Sequence, residues 1–215
     1  MCTRQDDASR LLKNDVLLRG RDGDAQDPPR GCAARAEEAG APREPVTGIY
    51  QTPWGAGAVP VQQGRLAAVD LPGEAAGVKE TALAGTHPDD SAAVARWTAE
   101  LEAYFRGERL SFTPDEVALD ELAVPEFARK VYAALLAVPA ATTVAYGELA
   151  EMAGFPRAAR AVGNAMAANP IPIVVPCHRV IKSDGRYGNY GKDPGYKVRL
   201  LAHEESCAAE KRGTS

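Results

Sequence analysis

Residues Pro156–Ile181 read PRAARAVGNAMAANPIPIVVPCHRVI. The first half is alanine-rich and opens on a proline, so it favours helix. The second half carries Pro170, Pro172 and Pro176 within seven residues. Each proline fixes its own φ and lacks a donor, and each pushes the residue before it to extended geometry. A helix therefore runs into a stiff, apolar, extended rail, and the rail ends on Cys177 and His178. A core thiol needs no such delivery, whereas a reactive one must be held in a fixed place.

Upstream, TTVAYGELAEMAG reads as a short helix ended by Gly154. Joined through a Gly-x-Pro turn to the helix after Pro156, it predicts a helix-turn-helix. PEFARKVYAALLAV before it has Phe127, Val131, Leu135 and Val138 in helical register behind Pro125. GYKVRLLAHEE near the end predicts a helix with Val198 and Leu201 facing inward. In the first half, GIYQTPWGAGAVPVQQGRLAAVDLP predicts short strands between Gly and Pro turns. A helix follows, with N-cap chemistry at Asp89-Asp90-Ser91, an apolar face of Val94, Trp97, Leu101, Tyr104 and Phe105, and a stop at Gly107. SFTPDEVALDELAVPE is read as a connector. The expected class is α+β: a small N-terminal strand-and-helix domain over 46–120, then a mostly helical domain over 121–206 containing the helix-turn-helix, and a tail over 207–215. Residues 1–45 mix charge, Ala, Gly and Pro without period and are expected to form a disordered extension.

The net charge of −4 hides a division. Residues 46–155 sum to −8 and residues 156–200 to +6. A local basic surface can meet phosphates although the whole chain is acidic. No apolar run reaches the roughly 18 residues of a membrane span, and the N-terminus has no signal-peptide pattern, so no membrane partner and a cytoplasmic location are expected. The four cysteines (Cys2, Cys32, Cys177 and Cys207) are far apart, so disulfides are not expected.

From Phe127 to Glu204 the chain resembles the C-terminal domain of the O6-alkylguanine-DNA alkyltransferases, the methylated-DNA–protein-cysteine methyltransferases. TVAYGELA, PRAARAVGNAMAANPIPIVVPCHRVI, GNYG and KVRLLAHE carry the resemblance, in the family's order and with similar spacing. It implies direct DNA repair: the alkylated guanine is flipped from duplex DNA and its alkyl group passes irreversibly to the protein's own cysteine, once per molecule. O4-alkylthymine is implied as a second substrate. Cys177 is then the nucleophile, His178 the base acting through a water, Glu204 the group orienting the imidazole, and Asn169 the hinge asparagine bonding backbone near Cys177. Since a free thiol has a pKa near 8.5, only about 3% is ionised at pH 7, and such a base has work to do.

The resemblance further implies a base pocket formed by Tyr146, Met166, Pro172, Val180, Tyr190 and Gly191, with carbonyl oxygens of Cys177 and Val180 accepting from the guanine amine. Arg160 would enter the duplex in place of the extruded base, Arg157 and Ala158 would meet the groove, and Lys197 would serve phosphate or loop support. The partner is double-stranded DNA, no cofactor is implied, and a monomer is expected. The family's GTxFQ-like start of this domain is replaced by AVPEFARKV. Cys2, Cys32 and His87 lack the spacing and the fourth ligand of a structural zinc site, so no metal is expected. The alternative is a non-enzymatic lesion-binding protein of the alkyltransferase-like kind, which lacks the acceptor cysteine that Cys177 supplies here.

Overall fold

The computed structural model describes residues 43–73, 77–188 and 194–213. The extension expected over 1–45 lies outside these but for its last three residues, as do Cys2 and Cys32.

The Gly- and Pro-punctuated start folds as an antiparallel sheet in the order β1 (Val46–Thr52), β2 (Gly55–Gln62), β3 (Arg65–Leu66). Alternating Val46, Gly48 and Tyr50 of β1 are buried, as period-two patterning demands. Gly48 is needed there, because a Cβ would stand 2.4 Å from Val94 Cγ1 of the helix packed on the sheet. That helix, α1 (Pro88–Phe105), buries the apolar face its spacing predicts. Its cap lies two residues before Asp89, the first residue of the stretch the sequence suggests: His87 Nδ1 accepts from Asp89 N at 3.3 Å. Asp90 instead turns inward and accepts from Gly64 N at 2.5 Å, tying α1 to the β2–β3 turn. The connector is not structureless. It contains α2 (Pro114–Val117) and a 3-10 turn, Leu119–Glu121.

α3 (Glu126–Leu136) buries Val131, Tyr132 and Leu135. After it the expected helix start is a strand: β4 (Val144–Ala145) pairs in parallel with β5 (Val180–Ile181), and α4 (Tyr146–Met152) follows directly. β-Branched Val144 favours the strand, and its partner lies 36 residues away, beyond the reach of local pattern. The turn to α5 (Ala159–Ala167) has positive φ at Gly154 and Arg157. The 169–176 rail is as buried as its composition predicts, with Ile171, Ile173, Val174 and Val175 all at 1% exposure or less. It is not straight. Ile173 has φ +75°, and Val175 N returns to Ile171 O at 2.9 Å. A β-branched residue in the left-handed region is a strained one, held here by its burial.

α6 (Pro194–Gly213) closes the chain. Val198, expected inward, is 42% exposed. Leu201 is buried as expected, and with it the inner face comprises Tyr196, Lys197, Leu200 and Glu204. Lys197 and Glu204 among those five are charged side chains, which is why apolar periodicity misplaces the face. Buried apolar side chains from β1, β2, α1, α3, α5, the rail and α6 form one continuous core.

Candidate active site at the end of the recognition helix

Parallel pairing of β4 with β5 sets the site. It brings the turn after the rail, a 3-10 helix Cys177–Arg179, beside the start of α4. Cys177 is 6% exposed. Asn169, just past α5, acts as a clip: its Nδ2 donates to Val175 O at 2.9 Å and to Cys177 Sγ at 3.1 Å, and its Oδ1 accepts from Ile171 N at 3.1 Å. An amide N–H aimed at sulfur favours the thiolate over the thiol.

His178 and Glu204 are fully buried and meet through Nε2 and Oε1 at 2.7 Å. A carboxylate only accepts, so Nε2 carries the proton and Nδ1 the lone pair. Nδ1 is buried and has no hydrogen-bond partner among the described residues. Burial pushes the His178 pKa down, against the pull of Glu204. The imidazole is therefore neutral at pH 7 with its basic nitrogen turned away from the carboxylate.

Glu204 is held by more than histidine. Arg179, 1% exposed, donates to both of its oxygens through Nε and to Oε1 through Nη2, and Ala141 N donates to Oε2 at 2.9 Å. Arg179 also donates to Val138 O at 2.7 Å and Leu110 O at 2.5 Å. Burial alone would raise the Glu204 pKa, but His178 and Arg179 hold it down at about 2. Tyr104 of α1 completes the ring of donors, with its hydroxyl 3.0 Å from Glu204 Oε1. Sequence reasoning missed both Arg179 and Tyr104. One was counted as surface charge and the other as core.

The remaining positions divide. Tyr146 is half-buried, and burial, then the nearby Cys177, push its hydroxyl pKa up. A Cβ on Gly188 would stand 2.6 Å from the Tyr146 hydroxyl, so the loop after β5 is glycine where it crosses this tyrosine. Met166 and Val180 are buried, and Pro172 is partly so. Tyr190 and Gly191 lie outside the described residues. Lys197, expected to meet phosphate or support a loop, is 1% exposed and donates from Nζ to Val180 O. It is thus withdrawn from any DNA surface, and the carbonyl expected to accept from guanine already takes this bond. Desolvation lowers the Lys197 pKa, while Cys177 pulls it upward.

The basic surface is therefore narrower than its sequence total. Arg179 and Lys197 are internal, and Arg199 lies over the Trp54 ring at 4.2 Å. Arg157, Arg160, Lys182, Arg186 and Arg199 are exposed, with Arg186 paired with Asp184 at 2.6 Å. Arg160, Tyr146, Gly163 and Lys182 line an open groove of about 910 Å³ along α5. Among the described residues no cluster of side chains could hold a metal ion.

Fold and site together define a helix-turn-helix protein whose second helix exits onto a clamped cysteine backed by a buried His–Glu–Arg network. Residues 126–206 match the family described as "6-O-methylguanine DNA methyltransferase, DNA binding domain". The methylated-DNA–protein-cysteine methyltransferase of Mycobacterium leprae is 45% identical over 116 residues, 54% of this chain and 68% of that protein. The mouse protein of the same name is 45% identical over 119 residues, 50% of this chain and 53% of that one. A crystal structure of Mycobacterium tuberculosis OGT in complex with DNA aligns with TM-score 0.60 at 35% identity, covering 75% of this chain and 93% of that one. The chain belongs to the methylated-DNA–protein-cysteine methyltransferase family.

Proposed function

We propose that this protein repairs DNA directly, by moving the alkyl group of O6-alkylguanine onto Cys177. As a member of its family it is a single-turnover alkyltransferase whose partner is DNA. The assignment of roles to its residues, the lesion specificity with O4-alkylthymine as second substrate, the monomeric state and the cytoplasmic location are our reading. No helix among the described residues is long and apolar enough to cross a membrane.

α5 enters the groove, and Arg160 at its exposed edge fills the gap left by the extruded nucleotide, offsetting part of a flipping cost of a few kcal/mol. The Cys177 proton passes through a water to His178 Nδ1, the one ring nitrogen that can accept it. Asn169 Nδ2 and the Lys197 ammonium stabilise the thiolate that remains. Sulfur attacks the alkyl carbon, the S–C bond forms as the C–O6 bond breaks, and guanine leaves with the electron pair. The Tyr146 hydroxyl, kept protonated by burial, can donate to the departing base. The thioether is a poor leaving group, so the reaction stops after one transfer.

The observation that carries this reading is the Asn169 clip, because one side chain ties the exit of the DNA-reading helix to the sulfur itself. The test uses duplex DNA bearing labelled O6-methylguanine. Cys177→Ser is expected to lose all label transfer and to keep DNA binding, since phosphate contacts lie elsewhere. Transfer surviving in that variant would refute the assignment.

A further inference from the structure

Tyr104 belongs to the N-terminal half, yet its hydroxyl sits inside the catalytic network. It is 0% exposed, 74 residues before His178 and 100 before Glu204. The hydroxyl donates to Glu204 Oε1 at 3.0 Å and lies 3.4 Å from His178 Nε2. Three atoms, Oε1, Nε2 and the phenol oxygen, thus form one small triangle. Burial first, and then Glu204, raise the Tyr104 pKa well above its ordinary value, so it stays a neutral donor throughout the working range. The ring is fixed from its other side, where His203 Nε2 donates to the Tyr104 carbonyl at 2.9 Å and the Phe105 and His203 rings pack against it.

We propose that Tyr104 is a positioning residue for alkyl transfer, which holds the Glu204 carboxylate on His178 Nε2 and tempers its pull on the imidazole so that Nδ1 remains a free base. A hydroxyl donating to Oε1 takes up part of the carboxylate charge. Remove it, and the carboxylate draws the Nε2 proton more strongly, the imidazolium is favoured, and histidine holds its second proton to higher pH. The carboxylate also loses a donor that shares Oε1 with Arg179. Other groups facing the network stay in place: the charges of Arg179 and Lys197 toward His178, and the Arg179 charge and the neutral Cys207 thiol toward Tyr104. The proposal rests on the function proposed above.

Free O6-benzylguanine is the probe, because a free base needs no flipping and reports the Cys177 chemistry alone. Rates are measured against pH for the wild type and Tyr104→Phe, which keeps the buried ring. The variant is expected to react on the order of tenfold more slowly at the plateau, the worth of one hydrogen bond to a charged group. Its acid limb should shift to higher pH, as a merely structural loss would not. Nitrogen NMR of the His178 ring should show a single Nε2–H tautomer in the wild type and a higher titration midpoint in Tyr104→Phe. An unshifted limb and midpoint in Tyr104→Phe overturns the proposal while leaving the function intact. So does an Nδ1–H tautomer in the wild type, which is readable whether or not the variant folds. A wild type that accepts no alkyl group from free base or duplex removes the function and the proposal together.

Discussion

At the residue scale the site depends on one carboxylate. Glu204 accepts from the buried side chains of His178, Arg179 and Tyr104 and from the part-buried amide of Ala141. Its folded pKa of about 2 lies below the ordinary 4.5, so unfolded chains take up its proton first. The stability it contributes is complete above pH 4.5 and is lost as pH falls toward 2, about 3 kcal/mol in all. His178 acts in the same direction, because its lowered pKa makes protonation favour unfolding from about pH 6.5 downward. Urea denaturation at a series of pH values should show this decline, and Glu204→Gln should lack the part below pH 4.5. At pH 7 that variant should lose about 3–5 kcal/mol, because Arg179 is left as a buried charge without its partner. Cys177, His178, Glu204 and Asn169 were legible in sequence because they sit in a spaced motif. Arg179 was not, since what buries it is Glu204, Val138 O and Leu110 O, at separations of 25, 41 and 69 residues.

At the scale of elements, helix, rail and helix-turn-helix were readable from proline placement and apolar period. The β4–β5 pair was not, because two residues on each side carry too little pattern and the partner is distant. That pair sets Tyr146 beside the cysteine turn, with Gly188 crossing it. Gly188→Ala forces a methyl group to within 2.6 Å of the Tyr146 hydroxyl unless the loop moves, and should slow reaction with both duplex and free O6-benzylguanine. Arg160→Ala should separate the two substrates. Losing about 2–3 kcal/mol of compensation for flipping slows duplex repair roughly 30- to 150-fold and leaves the free-base rate near wild type. Equal slowing of both would make Arg160 a support of the pocket and not a finger.

At the scale of the whole molecule, long-range pairs join the two halves. Val69 N donates to Pro170 O, Arg179 to Leu110 O and Tyr104 to Glu204. No local pattern encodes such pairs, so the sequence reads as strands and helix followed by helices without showing that the first half supplies part of the site. Charge shows the same limit. The sum over residues 156–200 is +6, but buried Arg179 and Lys197 cannot meet phosphate. DNA affinity should therefore fall with salt with a slope set by the exposed cations, and Lys182→Ala should make that slope shallower by about one. Intact mass reads stoichiometric transfer to one sulfur directly. After incubation with excess duplex bearing O6-methylguanine, the protein should gain about 14 Da once, on the peptide holding Cys177, and then stop reacting. An unchanged mass, a gain on another residue, or continued turnover from one protein molecule would contradict the account.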